Sequence, residues 1–144
     1  MPRQSFVHTA AVPAPVEVIW AGLQRPESWA RIGGVERIAS PLFDPTGDLI
    51  AYQFVAMVGG QPQVGVARRV QAERGKLVVM EIDSDQIEGS IAIEIEPTPG
   101  ATLVTVGMTV VSKSFLAGFM FPLVVSSIAS GFTETVEAFV GGLA

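Results

Sequence analysis

Cysteine is absent from the 144 residues. That excludes disulfides, thiolate metal sites, iron–sulfur clusters and cysteine nucleophiles. Asparagine is absent too, so there is no N-glycosylation acceptor. A single histidine, His8, rules out a three-histidine zinc site within one chain. Charge is scarce, at 16% of residues, where a soluble domain ordinarily carries about 25%. The formal net charge is -5, from 9 Lys plus Arg against 14 Asp plus Glu. Phosphate backbones repel that balance, and no basic patch with interleaved aromatics occurs, so no nucleic-acid partner is expected. The opening Met1-Pro2-Arg3-Gln4-Ser5-Phe6 holds no apolar run ending in a small-residue cleavage site. A cytoplasmic location is therefore expected.

What is abundant is apolar surface, with 49% of the residues hydrophobic. This excludes a disordered acidic chain. The length suits a single domain over residues 1–144. The apolar surplus points to an enclosed cavity, an adhesive interface, or both.

Arg3 to Val12 reads as a strand with Phe6, His8, Ala10 and Val12 on one face. Pro13 and Pro15 break it. Val16, Ile19, Trp20 and Leu23 then mark one face of a short helix. A second short helical stretch follows Pro26, with Trp29 and Ile32 three apart. Strand candidates come next at Val35–Leu42, Leu49–Val58, Gln63–Arg74, Lys76–Ser84, Gln86–Glu96 and Ala101–Val111. Short turns rich in Gly, Pro and Asp separate them, which favours antiparallel neighbours. From Ser114 to Gly142 a long helix is expected. No charge falls between Lys113 and Glu134, and a hydropathy window alone would read that stretch as a membrane span. Pro122, Ser126, Ser127, Ser130 and Gly131 interrupt it, and the tail beyond is amphipathic. A helix gripped by a curved sheet accounts for it better.

The order is thus strand, two short helices, six strands, long helix. The run Val12-Pro13-Ala14-Pro15-Val16-Glu17-Val18-Ile19-Trp20, with Leu23 and Pro26-Glu27-Ser28-Trp29, resembles the opening of the START-like (SRPBCC) superfamily of polyketide cyclases/dehydrases and lipid-transport proteins. Trp29-Ala-Arg-Ile-Gly-Gly-Val-Glu36 with an apolar final helix resembles, more narrowly, the carbon monoxide dehydrogenase accessory-protein branch, whose members associate with membranes. Gly33 stands where that branch has proline. The superfamily resemblance implies an α+β helix-grip fold, a curved antiparallel sheet around a long C-terminal helix. It also implies a cavity between the two, and no single chemistry.

Residues expected to line that cavity are Trp20, Trp29, Tyr52, Phe54, Met80, Ile82, Met108, Val110, Phe115, Phe119 and Leu123. Aromatic and methionine side chains give large, adaptable contact to an apolar ligand. The same residue types also fill ordinary cores. His8 is the candidate for proton transfer or for a polar anchor at the cavity mouth, or else a hydrogen-bonded strand histidine. Arg68 and Arg69 should face opposite sides of a strand. One should be solvated; the other could meet a ligand carboxylate or pair with Glu81 or Asp83. Asp83-Ser-Asp85 has a superficial calcium-loop spacing, but Ile87 and Glu88 stand where an oxygen ligand and a glycine are needed, so a hairpin turn is expected. No metal and no cofactor are expected, and no Gly-x-Ser-x-Gly elbow occurs.

The favoured function is binding or transport of a small hydrophobic, lipid- or polyketide-like molecule. A cyclase, aromatase or dehydrase is the first alternative. An accessory module that docks on a membrane or a partner protein is the second. Homodimerisation is left open.

Overall fold

The computed structural model describes residues 3–32, 35–58, 61–85, 87–113 and 121–144, with the side chains of residues 58, 61, 123, 124 and 127 outside that description. Seven strands form one antiparallel sheet: β1 Arg3–Val12, β2 Val35–Phe43, β3 Leu49–Val58, β4 Gln61–Glu73, β5 Leu77–Ser84, β6 Ile87–Thr98 and β7 Ala101–Ser112. Helices α1 Val16–Leu23 and α2 Pro26–Trp29 separate β1 from β2. Two further helices, α3 Phe121–Ala129 and α4 Phe132–Gly141, end the chain. This is an α+β helix-grip fold, as the order of elements implies.

The strand order is β1-β7-β6-β5-β4-β3-β2. Strands consecutive in sequence from β2 to β7 are neighbours, as short turns dictate. Strands β1 and β2 instead lie at opposite edges, so the two short helices carry the chain across the whole sheet. β1 pairs with β7 in unbroken register from Arg3 opposite Val111 to Val12 opposite Thr102. β2 is irregular. Its pairing with β3 shifts register three times, and Ser40, just before Pro41, has φ 50°. Bulges and proline bend an edge strand and blunt it against further pairing.

Period-two burial selects the inner face. Tyr52, Phe54 and Ala56 on β3, Ala67 on β4, Val78, Met80 and Ile82 on β5, Ile91, Ile93 and Ile95 on β6, and Val104, Val106, Met108 and Val110 on β7 are all buried. Across the sheet Phe6, Met108, Ile91 and Met80 form one continuous row of cross-strand partners. The helices close over this face, with Phe121, Phe132, Val136, Phe139 and Val140 buried.

The C-terminal helical arm is divided at one point. Gly131 adopts φ 82° between α3 and α4, a left-handed conformation that glycine takes without a Cβ penalty and that ends a regular helix. Pro122 is the second residue of α3, where a proline is tolerated. Among the described residues no helix is long and apolar enough to cross a membrane.

The far end of α4 is pinned by the first two helices. Leu143 is fully buried, and Gly22 packs so close to its main chain that a Cβ at position 22 would collide with the Leu143 carbonyl. The Arg25 guanidinium donates to the Gly142 carbonyl at 2.8 Å, satisfying one of the carbonyls a helix end leaves open.

Candidate functional site

A row of rings runs from the helices onto the inner face of the sheet. Phe139 of α4 lies 5.6 Å from Trp29, centroid to centroid, Trp29 lies 6.0 Å from Tyr52, and Tyr52 lies 6.4 Å from Phe54 in an edge-on arrangement. These are favourable aromatic separations. Trp29 is fully buried, and its indole N–H donates to the Leu23 carbonyl at 2.9 Å. Its polar atom is thus spent on holding α2 against α1, and only its ring faces the row. The Phe54 ring lies over Gly65 on the neighbouring strand, where a Cβ would collide with it.

Tyr52 is different. It is only 3% exposed, yet its hydroxyl makes no hydrogen bond among the described residues. Burial alone pushes its pKa upward, so the phenol keeps its proton at any physiological pH. A buried donor without a partner is costly. Met80 and Met108 are buried on the same face, joined through Ile91 between them.

The other expected site residues are placed as follows. Trp20 is buried, and its indole N–H is the one buried side-chain nitrogen or oxygen among the described residues that is both sealed from solvent and without a hydrogen bond. It also walls a surface cleft of about 540 Å³ between α1 and the β4–β5 turn, with Val16, Arg74 and Lys76 among its neighbours there. Phe115 and Phe119 lie outside the described residues, as does the side chain of Leu123. His8 faces the helices, and its Nε2 lies 2.9 Å from Glu137 Oε1 on α4. The strand histidine is therefore hydrogen-bonded, by a partner from the far end of the chain. Arg68 is not brought to the rings. Ala67 takes the inward position on β4, so Arg68 points outward, is exposed, and pairs loosely with Glu81 at 3.8 Å.

Arg69 has a larger place in the structure than its sequence position suggests. Its strand position opposite Met80 is an inward one, beside a register shift, and its guanidinium reaches Asp44 Oδ2 at 3.3 Å. Asp44 is held down to a pKa of about 2, chiefly by the Thr46 hydroxyl, with the Asp48 and Thr46 main chain and Arg69 adding to it against the opposing effect of burial. Phe139 is absent from the residues that the sequence marks out for the cavity, although its spacing with Phe132, Val136 and Val140 defines the helix stripe that contains it. At the other end of the sheet Lys113 donates to Asp83 at 2.8 Å and to the Ser84 carbonyl at 3.0 Å. The bond to Asp83 holds the Lys113 pKa above its usual value. Ser84 and Ile87 close the hairpin that carries Asp83-Ser-Asp85. No group of carboxylates and histidine among the described residues could hold a metal ion.

No protein-family model matches the chain, and no curated protein matches it. Solved structures do. A START superfamily protein from Mycobacterium smegmatis is 17% identical, with a TM-score of 0.72 over 97% of this chain and 99% of that one. The Zhui aromatase/cyclase from a Streptomyces species is 16% identical, with a TM-score of 0.72 over 99% and 94%. Norcoclaurine synthase from Thalictrum flavum is 13% identical, with a TM-score of 0.62 over 96% and 87%. The likeness covers nearly the whole chain, and what it establishes at these identities is the architecture: this chain has the helix-grip fold of the START-like superfamily.

Proposed function

We propose that this protein binds a small hydrophobic molecule between the inner face of the sheet and the C-terminal helices, and holds or carries it unchanged. The observation that supports this most is the Tyr52 hydroxyl, buried among rings and aliphatic walls with no acceptor or donor among the described residues. A buried polar group is normally satisfied, and a ligand oxygen would supply the missing partner. In this reading Trp29, Tyr52, Phe54, Met80 and Met108 form the walls, Trp20 closes the α1 end, and Phe115, Phe119 and Leu123 approach from the helical arm. His8 sits at the seam of β1 and α4 and contributes little to affinity. Arg68, on the outer face, contributes nothing.

An aromatase/cyclase is the second reading, favoured by the similarity in fold to the Streptomyces enzyme. Such chemistry needs a proton acceptor and donors aimed at a developing oxyanion. Tyr52 could act as a donor, while His8 is already engaged by Glu137. Fold likeness by itself does not carry a reaction.

Titration of the purified, delipidated protein with apolar fluorescent probes tests the first reading. Saturable one-to-one binding is expected. Met108→Trp should abolish it while leaving the circular dichroism and melting temperature close to those of the parent. Absence of saturable binding would sink the carrier reading. Turnover of a polyketide-like ketone that is lost in Tyr52→Phe would favour the enzyme instead.

A further inference from the structure

The walls around Tyr52 also bear on the class of ligand, and this step rests on the binding reading above. All the Lys, Arg, Asp and Glu of the chain lie among the described residues, and none is buried. Asp44, Asp48 and Arg69 are half-buried, and each is paired: Arg69 with Asp44 at 3.3 Å and Arg74 with Asp48 at 3.5 Å. The one cation at an inward strand position, Arg69, is therefore already neutralised. The buried hydroxyls are also used up. Ser28 donates to the Gly22 carbonyl, Ser84 bonds Ile87, and Thr102 donates to the Ala14 carbonyl. Ser112 is engaged as well. On the inner face of the sheet Tyr52 thus offers one neutral hydroxyl, with no free charge beside it among the described residues.

We infer that the interior selects uncharged ligands carrying one hydrogen-bonding oxygen, placed against the Tyr52 phenol, and rejects the corresponding carboxylates. An ion moved from water into such walls loses its hydration and gains no counter-charge. A neutral carbonyl loses far less and regains a hydrogen bond from Tyr52. Long-chain acids in their ionised form are thereby poor ligands, whereas esters, ketones and phenols of the same shape are good ones.

Three matched probes at neutral pH test this: naphthalene, methyl 2-naphthoate and 2-naphthoate, each titrated by calorimetry into the full-length protein. The ester is expected to bind at least about thirtyfold more tightly than the carboxylate. Tyr52→Phe should weaken the ester about fivefold and leave naphthalene unchanged. A carboxylate affinity within about thirtyfold of the ester overturns the inference, and its loss in Arg69→Gln would identify that guanidinium as the anion's partner. An ester affinity unmoved by Tyr52→Phe removes Tyr52 as the anchor. If neither naphthalene nor the ester binds, the binding reading itself has failed, which is a different result from a preference for the anion.

Discussion

His8 on the edge strand β1 and Glu137 on α4 meet at 2.9 Å across 129 residues of sequence. β1 is paired on one side only, with β7, and this contact helps tie its inner face to the helix that covers it, alongside the Phe6 and Phe132 rings 5.4 Å apart. Both polar side chains remain partly solvated, at 25% and 54% exposure, so the pair is a modest fastening. His8→Ala should lower stability by less than about 1 kcal/mol. A double-mutant cycle with Glu137→Gln, read by urea unfolding, should give a coupling of about 0.2–1 kcal/mol. Ligand affinity should barely change. A large loss of binding in His8→Ala with stability intact would place the histidine at the ligand.

Trp20 separates packing from polarity at one position. Trp20→Ala should cost roughly 3–5 kcal/mol through lost burial and a residual cavity. Trp20→Phe keeps most of the ring volume and removes an N–H that has no acceptor. Its cost should be less than half that of the alanine variant, because the unsatisfied donor is itself unfavourable. Chemical unfolding of the two variants checks this, and equal losses would mean that the indole N–H is in fact bonded.

Gly22 tests the anchoring of the chain's end. Gly22→Ala drives a methyl group into the Leu143 main chain, and overpacking of this kind costs about 1–3 kcal/mol. Hydrogen exchange should then be faster at the amides of α4 than in the β6–β7 pair, since the disturbance begins where α4 is pinned.

Asp44 sets part of the acid limb of stability. Its folded-state pKa of about 2 lies below its ordinary 3.8. The sign follows from linkage: a carboxylate with a depressed pKa contributes stability that is present above its unfolded pKa and lost as pH falls through the folded one. Between about pH 4 and pH 2, Asp44→Asn should therefore show a shallower loss of stability than the parent. Urea midpoints measured across that window provide the check, and parallel curves would refute the assignment.

Much of the fold is legible in local pattern. Arg3–Val12 and Val16–Leu23 have the boundaries their periodicity implies. The alternation of Ile91, Ile93 and Ile95 with Glu94 and Glu96 marks which face of β6 is inside. Short turns from β2 onward leave little choice but antiparallel neighbours. The wholly uncharged interior also follows from composition and placement along the chain, since no charged residue interrupts an apolar stripe without a place at the surface or a pairing partner.

Other features belong to the tertiary structure. Periodicity states which face of β1 is buried but not that β7, far along the chain, is its partner, because pairing between distant strands leaves no local signal. The partner of His8 is hidden for the same reason. Alternation requires Arg68 and Arg69 to face opposite ways, but which of them points inward depends on Ala67 packing against the core. The division of the C-terminal arm at Gly131 is permitted by that glycine and made by the different surfaces on which α3 and α4 rest. The unpartnered Tyr52 hydroxyl is likewise a matter of packing: a tyrosine carries its oxygen wherever its strand puts it, and only the surrounding rings and aliphatic chains decide that no described protein group is there to meet it.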